Sequence, residues 1–175
     1  MIRKAEFRDL DDVTKIYENI ILHEQETIKY TAFQANVYPT RATAEKAFNE
    51  NFLYIYEQDG EVCACVIINE TQPNEYKTID WKYKSSSKEV IVIHLLCVRP
   101  DKSNLGLGKK MVAFSIEEGK RRNCNAIRLD TGSQNIPARQ LYEKMGFTVA
   151  GTNNMAIGGL IQHNNHLFYE MKLTD

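Results

Sequence analysis

The chain has 175 residues, of which 43% are hydrophobic and 26% are charged, a balance typical of one globular domain. Its 22 Lys and Arg residues nearly cancel its 23 Asp and Glu residues, so a net charge of −1 gives no general attraction for the phosphates of nucleic acid. The first residues carry charges and no long apolar run, so we expect neither a secretory signal nor a membrane span. The sequence therefore predicts a single cytoplasmic domain over residues 1–175, without a nucleic-acid or membrane partner.

The first part of the chain predicts a strand followed by two helices. A strand is predicted over residues 2–7, and Asp9 stands at the N-cap position of an amphipathic helix with Val13 and Ile16 on its apolar face. Residues 24–38 have a mixed pattern that favours no single element. The pair Pro39-Thr40 then opens a second predicted helix.

A hairpin and a polar segment come next. Residues 52–56 and 62–68 are rich in β-forming residues, and the Asp59-Gly60 pair between them is a strong hairpin signal. Residues 70–88 are polar and interrupted by Pro73 and several serines, which predicts a surface excursion within the domain.

The second half alternates strands and helices. Residues 89–98 are the segment richest in β-branched residues, and apart from His94 residues 90–98 are apolar without alternation, which indicates a central strand covered on both faces and ended by Pro100. The further predicted elements are a helix over 106–122, a strand over 126–130, a helix over 135–145 and a last strand over 167–173. This order predicts an α/β sheet with parallel and antiparallel pairs, covered by helices on both faces.

The four cysteines predict reduced thiols in the core. Cys63, Cys65 and Cys97 lie in apolar strand-like segments, and their spacing with Cys124 suits no disulfide framework. Cys63 and Cys65 would lie on one face of a strand, where two metal ligands are conceivable, but no second pair of ligands completes such a site. We therefore expect no metal.

The loop before the 106–122 helix has the features of an anion site. Ser103-Asn104-Leu105-Gly106-Leu107-Gly108 joins a buried strand to a helix, so unpaired amides and the positive end of the helix dipole would face a ligand. Its glycines would let that ligand approach the main chain. Gly-Leu-Gly alone is weak evidence, because a glycine pair at such a turn is equally often a packing device. Neither the P-loop pattern nor the dinucleotide-binding glycine pattern is completed here.

A second motif makes a family resemblance specific. The segment from Asn135 to Phe147 has the form Asn-x-x-Ala…Leu-Tyr-x-x-x-Gly-Phe, and the earlier loop has the form Val-x-Pro…Gly-x-Gly. In this order and at this separation, the two motifs resemble signatures of the GCN5-related N-acetyltransferase (GNAT) superfamily. The likeness covers most of the chain, with 70–88 and 150–166 less constrained. It implies a mixed, mostly antiparallel central sheet, splayed after the fourth strand, with helices on both faces.

The resemblance also implies acetyl-CoA as co-substrate. The pantetheine arm would run along Leu96, Cys97 and Val98, and the pyrophosphate would bind amides of the loop, with further contacts from α-helical residues. The implied cofactor-binding residues of the loop and helix are Ser103, Asn104, Leu105, Gly106, Leu107, Gly108, Lys109, Asn135, Ala138 and Tyr142. Asn135 could alternatively serve only as a helix cap.

Two residues are implied to act in catalysis. The Leu96 amide would polarise the thioester carbonyl, and the Tyr142 hydroxyl would protonate the departing thiolate. The alternative for Tyr142 is an ordinary half-buried aromatic side chain. Cys97 is disfavoured as a nucleophile because it has no identifiable histidine partner.

Some positions depart from the family pattern. Ser103 and Asn104 stand where Gln, Arg or Gly is usual, so a phosphate contact is lost that Lys102, Lys109 or Lys110 could replace. Some family members carry a catalytic glutamate on the central strand, where this chain has Val92. The remaining candidates for the general base are Glu89, His94 and a water chain.

Two polar clusters predict surface features. His163-Asn164-Asn165-His166 lies in a predicted loop, so we do not expect its histidines to form a metal pair. The pairs Arg121-Arg122 and Lys109-Lys110 predict a solvated face, with contact to a 3′-phosphate as the alternative.

Three functions remain open at this stage. The first is an N-acetyltransferase that moves acetyl from acetyl-CoA directly to a primary amine of a small molecule or peptide. The second is a non-catalytic acyl-CoA-binding or regulatory module, and the third is a peptide-recognition domain that uses an open sheet edge. Acceptor contacts are expected from residues 24–38, 70–88 and 150–166, and relatives with sheet-edge dimers make a homodimer possible.

Overall fold

One mixed sheet organises the protein, for which a computed structural model describes residues 1–174. The strand order is β1-β2-β3-β4-β5-β7-β6, and β4 and β5 run parallel while the other neighbours are antiparallel. The strands are β1 (Ile2–Lys4), β2 (Leu53–Gln58), β3 (Glu61–Asn69), β4 (Val90–Val98), β5 (Ala126–Gly132), β6 (Thr148–Ile157) and β7 (Ile161–Lys172). The predicted mixed, mostly antiparallel sheet is confirmed.

The helices begin where the sequence predicts them. They are α1 (Leu10–Glu26), α2 (Arg41–Asn49), α3 (Leu107–Arg121) and α4 (Ile136–Lys144). Thr40 caps α2 through a capping box with Thr43, and Asn135 Oδ1 accepts from the Ala138 amide at 3.3 Å at the start of α4. Within the described residues, no helix has both the length and the apolarity to cross a membrane.

Asp9 does not cap α1 as predicted. Its carboxylate accepts from the Glu6 amide at 2.7 Å and from Arg3 Nη1 at 2.7 Å, and no side-chain hydrogen bond reaches the first turn of α1. Arg3 also binds Glu57, so this ion pair ties the end of β1 to β2 and to the turn before α1. The predicted first strand is correspondingly shorter and ends at Lys4.

A gap opens between β4 and β5, as the family resemblance implies. The two strands pair only from Val90↔Ala126 to Ile93↔Leu129. On the other side of β4, Ile93 pairs with Ile68 of β3 and Leu96 pairs with Val66. Three steps along β4 therefore match only two steps along β3. This bulge turns the second half of β4 away from β5.

The main chain of β4 offers unpaired groups to this gap. The Arg99 amide donates to the Cys63 carbonyl of β3 at 2.9 Å. Successive residues of a strand turn their amide and carbonyl groups to opposite sides, so Cys97 also faces β3. Leu96 and Val98 therefore direct their amides and carbonyls into the gap.

The β2–β3 hairpin is confirmed and contains a bulge. Asp59 (φ 53°) and Gly60 (φ 79°) form its two-residue turn, which requires the left-handed conformation at both positions. Glu57 pairs with Val62 and Tyr56 with Ala64, which leaves Cys63 as an extra residue in β3. Because of this bulge, Cys63 and Cys65 pack in different apolar clusters, so the prediction that they share a face is wrong.

Three apolar clusters cover the sheet. Helices α3 and α4 cover one face through residues that include Met111 and Tyr142. Helices α1 and α2 cover the β2–β3–β4 part of the other face through residues that include Ile16 and Ala44. The remainder of that face is covered by the segment around Trp81.

The segment 70–88 forms an excursion outside the strands, as predicted, but three of its residues, Tyr76, Ile79 and Trp81, are buried against the sheet. Tyr76 and Trp81 are buried, and Trp81 Nε1 donates to the Tyr76 carbonyl at 2.8 Å. Two charged residues of the sheet hold the segment in place: Arg128 lies 4.2 Å from the centre of the Trp81 ring, and Glu170 accepts from the Lys82 amide at 2.7 Å. These partners are distant in sequence, so the polar composition of the segment gave no sign of them.

The predicted loop over 150–166 is wrong. These residues form most of β6 and the beginning of β7, joined at Gly158 (φ 58°) and Gly159 (φ 72°). Alternate residues of this edge hairpin face solvent and several are asparagines, so its sequence lacks the apolar pattern of a buried strand. His163 and His166 consequently lie in β7.

Candidate functional site

A cavity of about 900 Å³ occupies the gap between β4 and β5. It extends from the loop before α3 to the loop between α1 and α2. The predicted cofactor residues that line it are Leu96, Cys97, Val98, Ser103, Asn104, Gly108, Asn135, Ala138 and Tyr142. The other predicted positions, Leu105, Gly106, Leu107 and Lys109, belong to the adjoining loop and helix start but do not line the cavity.

The loop before α3 presents a set of unpaired amides. Asn104 (φ 62°) and Gly106 (φ 73°) adopt the left-handed conformation, so the chain turns sharply twice within three residues. No acceptor within residues 1–174 bonds the amides of 104–109. Successive amides in such a loop, together with the N-terminus of a helix, form an anion-binding concavity.

Ser103 differs from the rest of this loop. Its amide donates to the Pro100 carbonyl at 3.1 Å, within a short 3-10 turn over Pro100–Lys102. The expectation that Ser103 offers its amide to a phosphate is therefore wrong, because the turn that ends β4 uses that donor. The side chain of Ser103 remains at the cavity wall.

Two of the three lysines expected to compensate at the loop, Lys102 and Lys110, contact other groups. Lys102 Nζ lies 3.5 Å from Glu61, and Lys110 Nζ lies 3.2 Å from the Tyr56 hydroxyl. Lys109 is exposed on the first turn of α3. Among residues 1–174, no lysine or arginine lines the cavity.

The two arginines at the end of α3 form a structural cluster. Arg121 Nη2 and Arg122 Nε lie 2.7 and 2.8 Å from Glu118, and Arg122 Nη1 lies 2.6 Å from Glu70. They stand at the opposite end of α3 from the loop, so contact with a cofactor phosphate near that loop is excluded for this pair.

Tyr142 is buried, but its hydroxyl is free. The side chain is 7% exposed, and its ring packs against Phe147 and Tyr169 with centroid distances of 5.9 and 6.0 Å. No partner among residues 1–174 hydrogen-bonds its hydroxyl, and the residue lines the cavity. Burial, and then the charge of Asp130, raise the pKa of Tyr142 above its ordinary value, so the phenol keeps its proton at neutral pH.

Of the two residues predicted as candidates for the general base, only His94 lines the cavity. Glu89 lies before β4, at the end of the strand remote from the cavity, and its carboxylate accepts from the Ser86 hydroxyl at 2.6 Å. Glu89 is therefore wrong as a base. His94 lines the cavity with Nε2 2.6 Å from Asn69 Oδ1, and desolvation lowers its pKa, which favours the neutral imidazole.

Cys97 has the environment of a structural thiol. It is buried in the cluster beneath α1 and α2, and a hydrogen bond with Cys65, together with burial, raises its pKa. A protonated buried thiol is a poor nucleophile, in agreement with the sequence-based interpretation.

A hydrogen-bonded chain that sequence analysis missed enters the cavity at Asp130. Gln134 Nε2 lies 3.1 Å from His163 Nε2, His163 Nδ1 lies 2.8 Å from His166 Nε2, and His166 Nδ1 lies 2.9 Å from Asp130 Oδ2. The Tyr76 hydroxyl donates to Asp130 Oδ1 at 2.9 Å. We call these five residues the Asp130 network.

One sequence signal pointed to this network. Asp130 stands near the carboxyl end of an apolar strand, the position at which open α/β sheets bind ligands. His163 and His166 were assigned to a loop, so their position beside β5 was not foreseen. Within residues 1–174, no group of three or more His, Cys, Asp or Glu side chains has an arrangement suited to a metal ion.

The three segments expected to contact an acceptor do line the cavity. The α1–α2 region contributes Glu24 and Tyr38, the 70–88 segment contributes Glu75, and the β6–β7 hairpin contributes Gly158 and His166. They form the wall opposite the loop before α3, which we call the acceptor wall.

Sequence comparison identifies the family. The model of the acetyltransferase (GNAT) family matches residues 18–147. A 5-NmdU N-acetyltransferase of Pseudomonas phage PaMx11 is 28% identical over 131 residues, which cover 75% of this chain and 80% of the phage protein. An uncharacterized N-acetyltransferase of Methanocaldococcus jannaschii is 24% identical over 152 residues, 83% of this chain and 59% of that protein.

Solved structures share the fold. A GNAT-family acetyltransferase from Streptococcus agalactiae superposes with a TM-score of 0.82 at 17% identity, covering 100% of this chain and 95% of that one. The yncA protein of Salmonella typhimurium, solved with its cofactor acetyl-CoA, superposes with a TM-score of 0.72 at 19% identity, covering 100% and 94%. The match of the family model over most of the chain, on this splayed sheet, makes the protein a member of the GNAT acetyltransferase family.

Proposed function

We propose that the protein transfers the acetyl group of acetyl-CoA directly to a primary amine. The observation that carries this proposal is the arrangement of three groups: the free Leu96 amide, the free Tyr142 hydroxyl and the unpaired amides of the 104–109 loop, which reaches the same cavity at Asn104 and Gly108. Membership of the acetyltransferase family supports the same reaction.

The loop before α3 fits a diphosphate. Its amides carry the positive end of the α3 dipole, and the left-handed turns at Asn104 and Gly106 bring successive donors to one side. Main-chain donors would replace the side-chain contacts that Ser103 and Asn104 do not supply. The free groups of Leu96 and Val98 fit a pantetheine arm that pairs with β4 as an additional strand.

Leu96 and Tyr142 would stabilise charge as the acetyl group moves. The Leu96 amide points into the gap and would donate to the thioester oxygen as it becomes an oxyanion, an interaction typically worth about 100- to 1,000-fold in rate. Tyr142 keeps its proton and would give it to the departing thiolate. Asn135 would act mainly through its cap on α4, which fixes the helix that carries Tyr142.

Two measurements test this proposal. Acetyl-CoA should raise the melting temperature, and thiol release with a panel of amines should yield an acetylated amine that mass spectrometry detects. Tight acetyl-CoA binding without product from any amine would instead favour the alternative, a non-catalytic acyl-CoA-binding module.

A further inference from the structure

The acceptor wall is acidic. Glu24, Glu75 and Asp130 line the cavity, whereas no lysine or arginine within residues 1–174 does so. His23, His94 and His166 also line it, but a wall with three carboxylates attracts cations and offers an acceptor carboxylate no permanently charged partner. The same cavity is lined by Tyr142, a side chain that is 7% exposed and whose hydroxyl has no hydrogen-bond partner among residues 1–174, so a ligand in the cavity can hydrogen-bond to it.

The Asp130 network has one consistent direction of hydrogen bonding. If Gln134 donates through its amide nitrogen, His163 Nε2 must accept, and His163 then donates from Nδ1 to His166 Nε2. His166 in turn donates from Nδ1 to Asp130, which also accepts from Tyr76. Both histidines can thus be neutral with every bond satisfied, and each carboxylate oxygen of Asp130, which lines the cavity, can accept a further hydrogen bond.

Asp130 lies at the point where acetyl transfer would occur. The last β4–β5 pair is Ile93↔Leu129, so Asp130 and His94 are the first residues to face each other across the gap. Asp130, His94 and Tyr142 all line the cavity. Leu96 is two residues farther along β4.

We propose that the acceptor is an amine that carries a second positive group, and that its reacting ammonium binds Asp130, which takes its proton. The inference rests on the proposed acetyl transfer and names the acceptor class and the base of that reaction. Asp130 supplies the base that the central strand lacks at Val92.

The second positive group would lie at the Glu75 side of the wall. Glu75 Oε1 accepts from the Ala156 amide at 3.0 Å, which fixes the carboxylate and leaves Oε2 without a partner among the described residues. Glu24 is fixed by Thr31, whose hydroxyl donates to Oε2 at 2.7 Å. Both carboxylates are therefore held in place before a ligand arrives.

Every proton in the proposed reaction has a donor and an acceptor. The ammonium loses one proton to Asp130, and the neutral nitrogen attacks the thioester carbon. As the C–S bond breaks, Tyr142 gives its proton to sulfur and regains one from the acetylated nitrogen. Asp130 then releases its proton to solvent, so one ammonium and one thioester yield one amide, one thiol and one proton.

A matched set of probes tests the acceptor class. Hexylamine, 1,6-diaminohexane and 6-aminohexanoate share a six-carbon chain and a primary amine, and differ only in the group at the far end. We expect kcat/KM to be at least about 10-fold higher for the diamine than for hexylamine, and lowest for 6-aminohexanoate. Equal values for the diamine and the aminohexanoate, or no transfer to the diamine by a protein that acetylates other amines, would overturn the proposal.

Asp130→Asn tests the assigned base. Asparagine keeps the size of the side chain, and we expect kcat/KM for the diamine to fall by at least about 100-fold while acetyl-CoA affinity is unchanged. Asp59→Asn makes the same chemical change at the β2–β3 turn, where Asp59 is exposed and asparagine tolerates its φ of 53°, and should leave both quantities unchanged. If kcat/KM of Asp130→Asn for the diamine stays within about threefold of the wild-type value, Asp130 is not the base of the reaction.

Calorimetry of 1,6-diaminohexane binding separates failure of this inference from failure of the proposed function. Loss of diamine binding in Asp130→Asn supports the cationic site even if acetyl-CoA binds without turnover. Acetyl transfer that prefers 6-aminohexanoate would leave the proposed function intact and reject the inference alone.

Discussion

Tyr38 and Gly158 pack against each other so closely that a Cβ atom added to Gly158 would clash with the Tyr38 ring. Tyr38 belongs to the loop between α1 and α2, whereas Gly158 forms the tip of the β6–β7 hairpin. Both residues line the cavity, so their contact closes the acceptor wall between two segments that are far apart in sequence.

Gly158→Ala should therefore open the acceptor wall. The left-handed conformation (φ 58°) and the clash with Tyr38 should together cost about 1–3 kcal/mol in the free energy of unfolding, and KM for an acceptor amine should rise. Gly159→Ala is the matched control, because its φ of 72° imposes a similar backbone cost while no atom lies within 4 Å of the added Cβ. Equal effects of the two variants on KM would show that the Tyr38 contact does not shape the acceptor site.

Removal of the diphosphate from the ligand should weaken binding strongly. Pantetheine lacks the group that we assign to the amides of 104–109, so coenzyme A should bind at least about 100-fold more tightly in calorimetry. Gly106→Ala strains the left-handed N-cap (φ 73°) without a clash, and should weaken coenzyme A binding more than pantetheine binding. Similar affinities for the two ligands in the wild-type protein would contradict a diphosphate site in this loop.

Tyr142→Phe should lower the rate without unfolding the protein. Its hydroxyl has no partner among the described residues, so the free energy of unfolding should change by less than about 0.5 kcal/mol. We expect kcat to fall by about 100-fold, with little change in acetyl-CoA affinity.

The pH dependence offers a second test of Tyr142. Its pKa is raised, so the protonated acid persists from neutral pH to beyond the ordinary phenol value of about 10. The wild-type rate should therefore show no loss from Tyr142 ionisation up to about pH 9. A wild-type rate that declines below about pH 9, with no such decline in Tyr142→Phe, would contradict a raised pKa of Tyr142.

Glu118 should stabilise the protein in a pH-dependent manner. Hydrogen bonds from Arg121 and Arg122 lower its pKa from 4.5 to about 2. Because the folded-state pKa is the lower one, the stabilisation is complete above the unfolded-state value and declines as the pH falls towards about 2. Glu118→Gln should cost about 2 kcal/mol at pH 7 and less than half of that at pH 3, measured by denaturant unfolding.

Glu117→Gln is the control for Glu118. Glu117 is exposed and pairs only with Lys120 at 2.9 Å, so the substitution should cost less than about 0.5 kcal/mol at either pH. A Glu118→Gln effect that is the same at pH 7 and pH 3 would show that lost packing, rather than lost charge, accounts for it.

The local elements of the protein could be predicted because their causes are local. Asp59-Gly60 specifies a two-residue turn by its φ preferences, and Thr40 and Asn135 supply caps at the start of their own helices. The loop before α3 could be recognised because its glycines and the following helix are contiguous in sequence. These features carried the family resemblance, and with it the fold.

The sequence by itself thus determined the family and most of the helices and strands, but not the β6–β7 hairpin. It also determined the order in which Leu96, the loop amides and Tyr142 follow along the chain. Only the tertiary structure decided that Tyr76 and Trp81 anchor the polar segment 70–88 to the sheet beside Arg128 and Glu170, and that His166 reaches Asp130 across 36 residues. The reason is physical: a turn or cap depends on a few neighbouring residues, whereas burial and hydrogen-bond partners of a polar side chain depend on which distant strand becomes its neighbour.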